Sequence, residues 1–236
     1  MRLLVIAAFL LIWTSGTQSW AQSLEVAPVS IQLAPDQRTT SLTVTNRSNA
    51  PVVIQIRPFL WRETDNTVTL TPTSALAVSP PFAEIASGQT QSVRIVLREP
   101  PGVAEATYRV FVDQLPPANA PGIHVALRLS LPVFAAPSAR AAAALVWQVI
   151  PTRAGPELEV HNRGNRHATI TAAQIRGPAG GTTAVRTSTH PYVLTGATAH
   201  WPIGGPSFSG SGPVRLTVTS DTGVQDVTAS VANAPQ

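Results

Sequence analysis

Ile123-His124-Val125-Ala126-Leu127-Arg128-Leu129-Ser130-Leu131-Pro132-Val133 is the stretch that decides the fold. Its odd positions are all large aliphatics (Ile123, Val125, Leu127, Leu129, Leu131, Val133), and its even positions are His, Ala, Arg, Ser and Pro. A period of two belongs to a β-strand, whose successive side chains point to opposite faces. The run predicts one strand about 35 Å long at roughly 3.3 Å per residue, about twice the usual length. Pro132 cannot donate to a ladder, so the strand's far end is expected at a sheet edge. Long apolar edges invite aggregation, and proteins normally blunt them. Two readings follow: an ordinary inward-facing sandwich strand, or an edge that lends a strand to another molecule. The second is the sharper.

Upstream, the sequence keeps the same character. Leu24–Leu33 is strand-like on both sides of Pro28, which puts it at an edge or a bulge. Pro35-Asp36-Gln37 reads as a turn, Thr39–Thr45 alternates, and Asn46-Arg47-Ser48-Asn49 turns the chain into the β-rich run Val52–Trp61. Further strands are expected at Val68–Leu70, Ser92–Leu97 and Thr107–Leu115, with turn signals spaced as a sandwich requires. Downstream, Phe134–Arg140 and Ala141–Ala144 read as an Ala/Pro/Ser linker between domains. Shorter strands follow at Leu145–Val149, Leu158–His161, Ala168–Ile175, Tyr192–Leu194, Val214–Thr219 and Gln225–Val231. Asn162-Arg163-Gly164-Asn165 and Asp221-Thr222-Gly223 serve as turns between them.

Composition agrees. The 236 residues are 44% apolar, contain 22 prolines and 15 glycines, and are all β on this reading, since so many breakers leave no room for long helices. Only 12% are charged, about half the usual share, and a net charge of +4 on an apolar chain argues against disorder. The absence of cysteine excludes a disulfide framework, a thiolate metal site and a cysteine nucleophile. All 16 basic residues are arginine, so a carboxylate held by a charged side chain is held by a guanidinium. Those arginines are scattered singly, without a basic run, so no nucleic-acid partner is expected.

Met1-Arg2, the apolar run Leu3–Trp13 and the small residues Ser19 and Ala21 make a secretory signal peptide cut after Ala21. The run is too short to span a membrane, which needs roughly 20 apolar residues. No membrane insertion is expected.

Several pieces, in order, resemble the periplasmic pilus-assembly chaperones of the chaperone–usher pathway, the PapD-like family. They are Val26-Ala27-Pro28, Thr43-Val44-Thr45-Asn46, Pro81-Phe82, Gly88-Gln89, Ser92-Val93-Arg94-Ile95, Tyr108-Arg109-Val110-Phe111, Leu115-Pro116 and Leu131-Pro132-Val133-Phe134 with Pro137. The second half, with Asn162–Asn165, Tyr192-Val193-Leu194 and Trp201, is similar to the branch serving archaic, spore-coat-like fimbriae. The resemblance implies two immunoglobulin-like β-sandwich domains set around a cleft, at 22–137 and 138–236 behind a signal peptide at 1–21. It implies a periplasmic, non-enzymatic chaperone that folds and caps fimbrial (pilin) subunits by donor-strand complementation and passes them to an outer-membrane usher. Ile123, Val125, Leu127, Leu129, Leu131 and Val133 match the donor strand. Each would contribute about 1.5–3 kcal/mol on burial in the subunit's groove.

One departure stands out. The basic residues that hold the subunit's C-terminal carboxylate in the conventional branch correspond here to Ser30 and Pro132. Arg109 and Arg128 are the candidate replacements, with Arg140 third. Ala136 stands where many relatives carry an arginine.

No catalytic chemistry is expected. His124, His161, His167, His190 and His200 show no metal-ligand spacing, so no metal or other cofactor is implied, and His161 and His167 read as turn or surface residues. No nucleophile elbow or phosphate-cradling loop is present. Trp61, Trp147 and Trp201 are expected in cores. The rival readings are a secreted structural or adhesive fimbrial sandwich, which two domains and a linker disfavour, and a secreted sugar- or lipid-binding sandwich, for which no aromatic platform exists. An unoccupied donor edge also predicts self-association of the free form, or shelter from the segment Pro116–Gly122.

Overall fold

The computed structural model describes residues 24–116, 126–176, 181–187, 191–204 and 212–232, and these form strands without any helix. No helix among them is long and apolar enough to cross a membrane. The first ten strands are β1 (Leu24–Ala27), β2 (Ile31–Leu33), β3 (Thr39–Asn46), β4 (Val52–Thr64), β5 (Thr67–Pro72), β6 (Leu76–Ser79), β7 (Phe82–Ile85), β8 (Thr90–Leu97), β9 (Ala106–Leu115) and β10 (Arg128–Ala135). They build one sheet in the order β1-β3-β8-β6 and a second in the order β2-β10-β9-β4-β5, with β7 paired to the start of β4. Alternate residues of both sheets face inward, and Leu42, Val44, Ile54, Val93, Ile95, Val110, Val112 and Val133 are all fully buried between them.

The strand broken at Pro28 explains the shape of one side. β1 pairs antiparallel with β3, the peptide Ala27–Pro28 is cis, and β2 then pairs parallel with β10 in the opposite sheet. Neither sheet keeps a full-length strand on that side.

The remaining strands are β11 (Leu145–Thr152), β12 (Gly155–Asn162), β13 (Ala168–Arg176), β14 (Thr182–Val185), β15 (Tyr192–Val193), β16 (Thr198–Pro202), β17 (Val214–Ser220) and β18 (Gly223–Val231). They follow the order β14-β13-β17-β18-β11-β12-β16, with β15 on β13. β18 pairs with β17 up to Ala229 and reaches β11 only through Ser230 and Val231. The sheet thereby folds over one core that contains Trp147, Leu158, Ile170, Val218 and Trp201.

Each sandwich carries the same corner. Asn46 ends β3 and Asn162 ends β12, both 0% exposed. The sequences there are Asn46-Arg47-Ser48-Asn49 and Asn162-Arg163-Gly164-Asn165. Gly88 and Gly196, at φ 71° and 73°, donate their N–H to the Asn46 and Asn162 carbonyls respectively, in a left-handed conformation that favours glycine.

Candidate functional site

β10 has one fully paired side and one half-open side. It pairs with β9 from Arg128 to Ala135, whereas β2 covers only Val133, Phe134 and Ala135. Arg128 to Pro132 therefore present an edge that no described strand occupies. The expected long strand is eight residues here, with Ala126 and Leu127 preceding it outside regular pairing, although the Gln114 N–H still donates to the Leu127 carbonyl at 2.8 Å. Ile123 and Val125 lie outside the described residues.

The aliphatic row along β10 divides in two. Leu131 (4% exposed) and Val133 (0%) belong to the first domain's own core, so in this arrangement they are committed to the chain itself. Leu129 is only partly buried against that core, and Leu127 is half-buried at its rim. Burial fades toward the N-terminal end of β10.

The opposite face of β10, β9 and β4 carries the arginines. Asp113, 7% exposed, accepts from Arg57 Nε at 3.0 Å and Nη2 at 2.7 Å through Oδ2, and from Arg128 Nε through Oδ1. The Arg57 guanidinium lies 5.5 Å from the Phe59 ring centre and that of Arg128 lies 5.0 Å from the Phe111 ring centre. The two rings are themselves 5.0 Å apart. Burial alone would raise the Asp113 pKa, but the hydrogen bonds and charges of Arg128 and Arg57 outweigh it and hold the carboxyl below its ordinary range. The two arginine side chains remain 38% and 56% exposed, beside an open depression of about 350 Å³ bordered by Gln55, Leu115 and Leu127. Sequence reasoning missed Arg57. It lies in β4 more than fifty residues from Asp113, and only the register Gln55↔Asp113, Arg57↔Phe111 brings it near.

Arg109 stands elsewhere. It is 8% exposed, its guanidinium lies 3.8 Å from the Trp61 ring centre and 5.7 Å from that of Tyr192, and burial lowers its pKa against the opposing influence of Tyr192 and Glu63. It is part of the wall between the domains and does not line the depression with Arg128. Arg140 is exposed in the linker, Ser30 is half-buried, and Pro132 is buried opposite Arg109.

Trp61, Phe134, Leu194 and Ala197 form a small core between the domains, with Tyr192 and Leu70 packed on it. His167, expected at a turn or on the surface, is instead 2% exposed and stacks on Phe134 at 3.6 Å between ring centres. Its position directly before β13 faces it back onto the first domain. A second contact pairs Asn66, at the tip of the β4–β5 hairpin, with His200: its amide donates to the His200 carbonyl at 2.7 Å and accepts from the His200 N–H at 2.9 Å. The linker is also held. Arg163 N–H donates to Ala144 O, Asn165 N–H to Ala142 O, and the side-chain oxygens of Asn162 and Asn165 accept from Ala144 and Ala142. Among the described residues, no group of three or more His, Asp or Glu side chains is arranged so that it could hold a metal ion.

This geometry has a family. The chain belongs to the pili and flagellar-assembly chaperones: residues 23–141 match the PapD N-terminal domain. The fold is that of solved pilus chaperones. One is in the CsuC–CsuE chaperone–tip adhesion subunit pre-assembly complex of archaic chaperone–usher Csu pili from Acinetobacter baumannii, with TM-score 0.70, 20% identity, and coverage of 89% of this chain and 100% of that one. Another is in the complex of the Salmonella enterica SafA pilin with the SafB chaperone, with TM-score 0.62, 18% identity, and coverage of 89% and 96%. A third is the E. coli chaperone DraB, with TM-score 0.58, 20% identity, and coverage of 91% and 97%. No curated protein sequence matches the chain. The family is one of assembly chaperones of pili and flagella, and the protein is such a chaperone.

Proposed function

We propose that the protein works in the periplasm after removal of residues 1–21, caps one fimbrial subunit at a time along the edge Arg128–Pro132, and hands it to an outer-membrane usher. The observation that carries this reading is the half-open side of β10 beside the partly buried Leu129 and half-buried Leu127. An incomplete sandwich can add its own strand there, its main chain bonding the free edge and its side chains closing on the aliphatic rim. On this reading Ile123, Val125, Leu127 and Leu129 fill the subunit's groove, while Leu131 and Val133 anchor the strand in the chaperone. The division falls at Pro137, with donor strand and first sandwich on one side and the second sandwich on the other. The subunit's terminal carboxylate is held by Arg128 together with Arg57, whose exposed guanidiniums share the open depression. Arg57 takes the role beside Arg128 that the sequence suggested for Arg109, because the Arg109 guanidinium is stacked on Trp61.

Co-expression with candidate fimbrial subunits, followed by periplasmic purification and hydrogen exchange, tests the reading. The amides of Arg128 and Ser130, which point away from β9 to the open edge, are expected to gain protection in the complex. A complex that forms with their exchange unchanged would refute the edge assignment.

A further inference from the structure

A two-stranded finger of the first domain ends on the edge of the second. β4 leaves β9 at the pair Leu60↔Tyr108, and Trp61 to Thr64 continue in register with β5 alone, from Trp61↔Leu70 to Thr64↔Thr67. Four residue pairs reach about 13 Å at roughly 3.3 Å per residue. Asp65 and Asn66 close the tip, at φ 47° and 59°. Positive φ at both positions is the two-residue hairpin turn that favours Asn, Asp and Gly. A two-stranded ribbon is marginal by itself, so the finger depends on what it touches.

The tip meets β16, the last strand of its sheet. The Asn162 N–H donates to Ala197 O and the Ile203 N–H to Pro156 O, so the odd-numbered residues along β16 turn their main chain toward β12. His200 therefore turns its N–H and C=O outward. There Asn66 Nδ2 donates to the His200 carbonyl at 2.7 Å, and Asn66 Oδ1 accepts from the His200 N–H at 2.9 Å. A primary amide carries a donor and an acceptor side by side, so Asn66 makes the bonds that one residue of a further strand would make. Two positions on, the Pro202 carbonyl accepts from the Arg186 N–H at 3.3 Å.

Other contacts between the domains lie at the root of the finger or beside the linker. Trp61 and Leu70, opposite each other in the finger, join Phe134, Leu194 and Ala197 in the apolar cluster. The Glu105 N–H donates to Asn165 O at 2.9 Å, and the Glu105 carboxylate accepts from the His167 N–H at 2.9 Å. Apolar packing is non-directional and leaves the domains free to rock about the cluster. A paired hydrogen bond is directional, and at the far end of the finger it fixes the angle.

We propose that Asn66 is a strand surrogate: its amide takes the place of a neighbouring strand on the edge of β16 and sets the angle between the two domains. Asn66 is thus a positioning residue for the cleft. Its bearing on subunit capture rests on the edge assigned above, whereas the angle itself is read in the free chaperone, without a subunit.

Two substitutions keep the turn and change only the amide. Asn66→Gly suits the same backbone and removes both bonds. Asn66→Asp keeps the acceptor but sets a carboxylate against the His200 carbonyl, near Asp65, Glu157 and Glu159, which lie 3.8–3.9 Å from the His200 ring. The chain has no cysteine, so Ser92→Cys and Val224→Cys, exposed positions in different domains, take a donor and an acceptor dye without competing thiols. The distance distribution from energy transfer in the mature chain is expected to broaden in the order parent, Asn66→Gly, Asn66→Asp. In the dye-free chains, amide exchange resolved by NMR is expected to quicken at His200 by about two- to tenfold in Asn66→Gly. The Ala199 and Trp201 amides, bonded to β12, should keep the parent's rates. A distance distribution unchanged in both variants would overturn the proposal. So would a His200 amide that exchanges as in the parent, or one that quickens only together with Ala199 and Trp201.

Discussion

Asn46 and Asn162 make the same set of bonds in the two sandwiches. Asn46 Nδ2 donates to Ala50 O and Ile85 O, and Asn162 Nδ2 donates to Arg166 O and Val193 O, at 2.7–3.0 Å in all four cases. Asn46 Oδ1 accepts from the Ser48 N–H and Asn162 Oδ1 from the Gly164 N–H. The two domains are variations on one module, tied at one corner by a buried amide. Asn46→Ala or Asn162→Ala leaves buried carbonyls without donors, at about 1–3 kcal/mol for each stranded group. Both variants should lose midpoint in urea unfolding, and a midpoint equal to that of the parent would mean the corner bonds are replaced by water.

The third position of that corner differs for a reason. Ser48 is free to carry a side chain, whereas a Cβ on Gly164 would collide with the backbone of Ala142, Ala143 and Ala144 in the linker. Gly164→Ser copies the first domain into the second and is expected to destabilise by about 1–3 kcal/mol, the range for overpacking. Thermal denaturation measures the loss. Proteolysis within Ala141–Ala144 should quicken as the linker is pushed off its loop.

The aliphatic row should split by experiment as it does by burial. Leu127→Glu and Leu129→Glu place a charge at the rim, where the free chaperone solvates it but a subunit groove does not. Folding should survive and subunit capture fail. Leu131→Ala should instead destabilise the free chaperone by about 2–5 kcal/mol through its core. If Leu129→Glu captured subunit normally, the rim would have no part in binding.

The arginines should separate likewise. Arg57→Ala and Arg128→Ala are expected each to weaken subunit binding, by about 2–5 kcal/mol if they strand a buried carboxylate. Arg109→Ala should act on stability through lost packing on Trp61, with little change in affinity once the folded fraction is corrected. Calorimetric titration of the three variants with one subunit decides. Loss of affinity in Arg109→Ala alone would return the anchor to the domain wall.

Glu63 introduces a pH dependence with a definite sign. Burial raises its pKa to about 6, only partly offset by the charge of Arg109. The unfolded chain releases this proton near 4.5, so between 4.5 and about 6 the folded state binds more protons and stability falls as pH rises. Because the side chain is partly solvated, about 1 kcal/mol is expected rather than the ~2 kcal/mol of an unscreened shift. Glu63→Gln should abolish this decline in denaturation curves taken at pH 4.5 and pH 7. An equal slope in variant and parent would assign the dependence to another group.

Strands built on plain alternation were legible in the sequence: β3, β8, β9, β11, β13 and β17 all fall where the pattern puts them, with ends shifted by a few residues. β6 and β7 were not. They are four residues each and flank Pro80-Pro81, whose prolines read as a break. β16 hid for a similar reason, because His200 and Pro202 interrupt its hydrophobic signal. At the site, the period-two run marked β10, but periodicity says only that residues share a face. It does not say whether that face is closed by the chain's own core, as at Leu131, or left at a rim, as at Leu129. His167 and Arg57 were invisible because each owes its role to a partner many residues away.

The short β2 has a consequence for any strand that adds to β10. A newcomer extending along the edge in the direction of Ala135 meets occupied backbone at Val133, where Ile31 already pairs. β2 is thus an end-stop, and the edge has a zero mark from which register is counted. Slipping by one residue would turn every side chain of the incoming strand to the wrong face. On the proposed reading, such an end-stop would set the register of an incoming strand by position alone, without reading its sequence.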